Sequence, residues 1–152
     1  MPSIELITVI PARADRCFEL SLSVDAHAES MRRSGERIIA GISSGSMRLG
    51  EVVTWRARHF GIPFTMTTQI TEFDAPHRFV DEQVAGPFRR WWHEHRFEPD
   101  ADGTRMIDVV EFESPVGALG RLANRLVLTR YMTRLLLERN RWLVETLSAR
   151  EN

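Results

Sequence analysis

The sequence predicts an α+β domain in which a curved antiparallel sheet wraps around a long C-terminal helix. Three observations carry this expectation. Residues 116–148 (VGALGRLANRLVLTRYMTRLLLERNRWLVETLS) contain no proline, and their glycines, Gly117 and Gly120, stand near the start. As a helix the stretch would run roughly 50 Å, at about 1.5 Å per residue. Between residues 36 and 114, nearly everything alternates with a period of two, broken by short turn signals. Finally, the helix is too apolar to stand free. One stripe holds Leu122, Leu126, Met132, Leu136, Leu143 and Leu147, with Thr129 and Asn140 completing its steps, and a second holds Leu128, Tyr131, Leu135 and Trp142. So wide an arc needs packing partners, and the strands are the elements left to supply them. Arg130, Arg134, Glu138, Arg141 and Glu145 mark the wet face.

In chain order, Ser3 to Ile10 alternates as a first strand, with Ile4, Leu6 and Thr8 on one face. Pro11 ends it, and Ala12 to Leu22 reads as a short helix with Cys17, Phe18, Leu20 and Leu22 as its apolar part. Asp25 is placed to cap a second short helix through Arg32, stopped by Ser34-Gly35. Strands follow at Arg37–Ser43, Gly50–Phe60, Phe64–Phe73, Arg78–Ala85, Phe88–Glu98 and Thr104–Glu113. The turns between them are Ser44-Gly45-Ser46, Gly61-Ile62-Pro63, Asp74-Ala75-Pro76, Gly86-Pro87 and Asp100-Ala101-Asp102-Gly103. Short connections imply an antiparallel meander. The reading is one domain over 1–152, without linker or repeat.

Composition narrows the function. A net charge of -1 argues against a nucleic-acid surface. All 20 basic residues are arginine, a base-composition habit rather than a phosphate-binding device. The one cysteine, Cys17, excludes an internal disulfide and points to a reducing cytoplasm. The start, MPSIELITVI, has no signal-peptide pattern, and no segment is long and apolar enough for membrane insertion.

The strand pattern then picks out an inner face. Residues Trp91, His93, His95 and Phe97 share one parity, against Trp92, Glu94, Arg96 and Glu98 on the other. If the Asp100–Gly103 loop sets the register, Phe97 faces Met106, His95 faces Asp108, His93 faces Val110 and Trp91 faces Phe112. The strand before would point Phe79, Asp81 and Gln83 inward, with Asp81 and Gln83 in reach of His93 and Trp91. Trp55, Ala57, Met66, Thr68 and Ile70 complete an apolar, aromatic concave face with a small polar centre, as small-molecule pockets have.

These residues resemble a known family. The element order is similar to the helix-grip fold of the START/Bet v 1-like (SRPBCC) superfamily, the polyketide cyclase/dehydrase and lipid transport group. More narrowly, Phe79-Val-Asp-Glu-Gln, GPFRRWWHEHRF (86–97), Asp108-Val-Val-Glu-Phe, Pro115 and Gly117-Ala-Leu-Gly120 look like a bacterial ligand-binding subgroup. In that subgroup a W-x-H-x-H-x-F strand precedes a D-x-V-x-[YF]-x-x-P strand and the long helix. The resemblance implies a deep cavity between sheet and helix, holding lipids, polyketides, hormones or other apolar molecules. It spans binders, transporters, aromatases and cyclases, and it names no ligand.

Three functional readings follow. The first is a binder of an apolar or amphipathic small molecule, recognised by Trp55, Asp81, Gln83, Trp91, His93, His95, Asp108, Phe112, Thr129 and Asn140. The second is a cyclase or dehydratase using His95 oriented by Asp108 as general acid–base, with Asp81 or Glu111 as other partners. Against it stands a purely structural role for that pair, holding two strands in register. The third is an interaction module, with the stripe of Leu128, Tyr131, Leu135 and Trp142 as a homodimer contact or a cover for the sheet rim. His93 and His95 point the same way and, with Asp81 or Asp108, match a two-histidine, one-carboxylate metal pattern. No third histidine stands at suitable spacing, since His59 and His77 fall in or near turns, so a hydrogen-bonded network is expected rather than a metal or cofactor. Neither a nucleophile elbow nor a phosphate or dinucleotide loop is present, and GISSGSMRLG (41–50) reads as a hairpin.

Overall fold

A computed structural model describes the backbone of residues 2–114 and 118–151, and the side chains of residues 2–114 and 125–150. Leu122 of the predicted stripe, together with Pro115, Gly117 and Gly120, lies outside the described side chains. The elements are β1 (Ser3–Ile10), α1 (Ala14–Leu22), α2 (Val24–Ser30), β2 (Arg37–Gly41), β3 (Val52–His59), β4 (Ile62–Asp74), β5 (Arg78–Ala85), β6 (Arg90–Asp100), β7 (Gly103–Glu113) and α3 (Ala118–Glu151). One antiparallel seven-stranded sheet has the order β1-β7-β6-β5-β4-β3-β2, so the first strand returns to pair with the last. That is the predicted architecture, with the long helix laid against the sheet.

Local chemistry explains most boundaries. Ser23 caps α2, its Oγ accepting from the Ala26 N–H at 3.1 Å. The sequence assigned that cap to Asp25, whose carboxylate instead accepts from the Gly45 N–H at 2.9 Å. The reason is the loop between β2 and β3, which is no tight hairpin. It crosses to the α1–α2 junction, where Met47 N–H reaches the Leu22 carbonyl and Val24 N–H reaches that of Gly45. Between β3 and β4 the turn is Phe60-Gly61, both at positive φ, and Pro63 lies within β4 opposite Arg58. Two left-handed residues make the turn whose twist matches the strands it joins.

The β6–β7 register is as expected, pairing Trp91 with Phe112, His93 with Val110, His95 with Asp108 and Phe97 with Met106. Its loop is tighter than expected, because Asp100 and Gly103 already pair. Gly103 has φ 131°, and a Cβ there would lie 2.3 Å from the Ile10 carbonyl oxygen, so the close passage of β1 into α1 requires glycine.

Two packed regions flank the site. Phe18 of α1 makes edge-on contacts with Phe73, Phe79 and Phe97 at 5.5–5.6 Å, in a core shared with Leu143 and Leu147 of α3. Cys17 is buried beside it. Ile4, Trp91, Val110, Phe112 and Leu136 form the second. Among the described side chains of α3, the buried ones are Leu135, Leu136, Arg139, Asn140, Leu143 and Leu147. Leu126 departs from the predicted stripe and is 61% exposed. At 100° per residue it stands about 100° from the centre of the buried arc, beyond what the sheet covers. No helix among the described residues is long and apolar enough to cross a membrane.

Candidate functional site: a cavity with a charged floor

A cavity of about 490 Å³ opens between the sheet and α3. Its walls are mostly apolar: Trp55, Ala57, Met66, Ile70 and Trp91 from the strands, Val24 from α2, and Leu128, Met132 and Leu135 from α3. The second stripe of α3 therefore faces the cavity. Leu128, Tyr131 and Leu135 line it, while Trp142 packs against the core. At one rim His59 Nδ1 lies 2.7 Å from the Tyr131 hydroxyl, and Phe60 packs on the Tyr131 ring at 4.5 Å. Burial pushes His59 below the usual imidazole range.

Of the residues picked from sequence, Trp55, Asp81, Trp91, His93 and His95 line the cavity. Gln83, Asp108, Phe112, Thr129 and Asn140 do not. Gln83 was expected beside His93; instead its amide donates to the Phe88 carbonyl at 2.7 Å and accepts from the Phe88 N–H at 3.2 Å, closing the β5–β6 loop. Phe112 is fully buried in the second core. Thr129 is only partly buried, and its carbonyl accepts from the Thr133 hydroxyl one turn on. Asp108 and Asn140 lie behind the floor and hold it from beneath.

That floor is Asp81 of β5 with His93 and His95 of β6, backed by Asp108 of β7 and by α3. Alternation sends His93 and His95 to the same face, where their rings lie 3.7 Å apart. The expected His95–Asp108 pair forms differently. His93 Nε2 is 2.9 Å from Asp108 Oδ1, and His95 Nε2 is 2.8 Å from Asp81 Oδ2. The Cα register is unchanged; the leaning of side chains along the strand makes the hydrogen bonds diagonal. His95 Nδ1 remains 3.3 Å from Asp108 Oδ1 without a hydrogen bond, although it is buried.

Arg139 is the residue that sequence reasoning missed. Its Nη2 donates to Asp108 Oδ1 at 2.6 Å and to Asn140 Oδ1 at 2.8 Å. The Asn140 amide in turn donates to Asp108 Oδ2 at 2.8 Å and to Thr8 Oγ1 at 3.0 Å. One signal was available: a carboxylate at an inward strand position needs a cation, and Arg139 adjoins the inward Asn140. Burial opposes the charge on Asp108, but the Arg139 guanidinium and the His93 hydrogen bond hold its carboxyl well below the usual range. Burial likewise works against Asp81, yet the His95 hydrogen bond and the neighbouring His93 keep it low. For His93, burial and then the adjacent His95 push the pKa down to about 4. His93 is thus a neutral ring at neutral pH, donating to a carboxylate anchored from α3.

Comparison with known proteins supports the same architecture. The family described as "Polyketide cyclase / dehydrase and lipid transport" matches residues 1–147. No curated protein sequence matches the chain. Among solved structures, the protein TTHA0849 from Thermus thermophilus superposes with a TM-score of 0.80 at 18% identity, covering 99% of this chain and 100% of its own. The Zhui aromatase/cyclase from Streptomyces sp. R1128 gives 0.79 at 16% identity, covering 99% and 96%. The ginseng major latex-like protein 151 from Panax ginseng gives 0.68 at 16% identity, covering 96% and 97%. At these identities the likeness is one of fold.

Proposed function

The chain belongs to the polyketide cyclase/dehydrase and lipid transport family, and on that premise we propose that it binds a hydrophobic or amphipathic small molecule in the cavity above the histidine–carboxylate floor. The observation that carries this reading is the cavity itself: about 490 Å³, apolar over most of its walls, with Asp81, His93 and His95 on its floor. Trp55 and Trp91 would clasp the apolar body, and Asp81, His93 and His95 would meet its polar group. Asp108, Arg139 and Asn140 fix that floor in place, so little ordering remains to be done on binding. Titration with the neutral dye Nile red tests it. Saturable 1:1 enhancement is expected, weakened when Ala57→Phe narrows the cavity and the chain stays folded. Equal binding by both proteins would contradict the reading.

A second reading is favoured by one feature, the His95–Asp81 pair exposed to the cavity, and by the fold shared with an aromatase/cyclase. Protons would move during cyclisation or dehydration of a poly-β-ketone through the Asp81 carboxylate, which lines the cavity and is hydrogen-bonded to His95 Nε2. Turnover of a poly-β-ketone mimic with a bell-shaped pH profile that His95→Gln removes would support it. Absence of turnover by a protein that binds the mimic would leave binding alone.

A further inference from the structure

We propose that Asp81 Oδ2, His93 Nδ1 and His95 Nε2 form a binding site for a divalent transition-metal ion on the cavity floor. The proposal does not depend on which organic molecule occupies the cavity. These three residues place their ligand-type atoms within 4.8 Å of one another. Donors about 2.1 Å from one ion, at angles between octahedral and tetrahedral, stand roughly 3.0–3.4 Å apart. The carboxylate oxygen is 2.8 Å from His95 Nε2 and 3.7 Å from His93 Nδ1, on either side of that spacing.

The arrangement behind the rings strengthens the case. His93 Nε2–H donates to Asp108, which leaves the Nδ1 lone pair turned toward the Asp81 carboxylate. Two electron-rich groups face each other there, and a cation between them resolves the conflict. His95 shows the same conflict. With its proton on Nε2 for Asp81, its buried Nδ1 has no hydrogen bond and faces Asp108 Oδ1 at 3.3 Å. An ion on Nε2 moves that proton to Nδ1, where Asp108 accepts it. One carboxylate then orients both histidines, and Arg139 and Asn140 hold that carboxylate. Metal-bound histidines characteristically have such outer-shell partners. All three ligand residues line the cavity, so the open coordination positions face it. Two imidazoles and one carboxylate suit zinc, iron(II) or cobalt(II).

A doubly protonated His95 would make both contacts without metal, so the test must separate ion from proton. The full chain, freed of any affinity tag and stripped with a chelator, is titrated with Co²⁺ and Zn²⁺ by calorimetry and visible absorption. One ion per chain is expected. Affinity should fall at least about 100-fold in Asp81→Asn and His93→Gln, and roughly 10–100-fold in Asp108→Asn. Asp81→Asn is nearly isosteric and decides the matter if His93→Gln fails to fold. Ring ¹⁵N spectra should show the His95 proton moving from Nε2 to Nδ1 as Zn²⁺ binds. The proposal is overturned by no saturable uptake, by uptake that Asp81→Asn leaves unchanged, or by a His95 ring protonated on both nitrogens with and without Zn²⁺.

Discussion

Arg139 and Asp108 decide how the polar floor is held. Their side chains are 8% and 0% exposed, and the contact is 2.6 Å. Removing one partner strands the other in a poorly solvated site, which typically costs about 3–5 kcal/mol. Arg139→Met is therefore expected to destabilise the protein by that amount in urea denaturation, and Arg139→Met with Asp108→Leu should recover much of the loss. His93 gives a second expectation. Its ordinary value is 6.5 and its folded value about 4, so between those pH values the unfolded chain takes up a proton that the folded chain refuses. Stability is then complete above about pH 6.5 and declines as pH falls toward 4, by up to about 3 kcal/mol. The groups facing His93 are Asp81, Asp108 and His95, with Arg139 behind Asp108. His93→Gln should flatten that part of the metal-free stability–pH curve, and an unchanged slope would remove His93 as its source. At this scale the sequence was half legible. Strand parity brought Asp81, His93, His95 and Asp108 to one face, because alternation depends on backbone geometry alone. Which nitrogen meets which oxygen depends on ring rotation, and no spacing rule reports that.

Among the elements, α3 shows both the strength and the limit of periodicity. Its length and its inward Leu136, Leu143 and Leu147 follow from the pattern, whereas exposed Leu126 does not. Leucine is a good helix former anywhere, so its presence marks the helix better than it marks the buried arc. Leu136→Ala is expected to cost about 2–5 kcal/mol, against less than about 0.5 for Leu137→Gln, measured by thermal or urea denaturation. Similar losses at both positions would show the helical phase to be wrong. The β6–β7 pair was readable to the residue, since the short Asp100–Gly103 loop sets the register and the two inward faces agree with it. The loop between β2 and β3 was not, because its partners are backbone groups at the α1–α2 junction, far away in sequence. Gln83 misled for a related reason: its parity is inward, but its amide completes the backbone hydrogen bonding of the next loop.

For the whole molecule, the sheet and α3 do not close on each other completely. Cores on either side are packed, and the space between them is an apolar cavity with a rigid polar floor. The fold was legible because strand alternation, turn residues and one long helix all agree on it. A cavity is a gap between distant surfaces, and so its size comes only from the structure. The most direct measurement is native mass spectrometry of wild type and Ala57→Phe after incubation with a hydrophobic extract of bacterial cells, followed by release and weighing of what is bound. One organic molecule per wild-type chain, and a smaller bound fraction on folded Ala57→Phe, is the expected result. Identical bare masses for both proteins, or the same adduct to the same extent on both, would contradict a ligand-binding cavity.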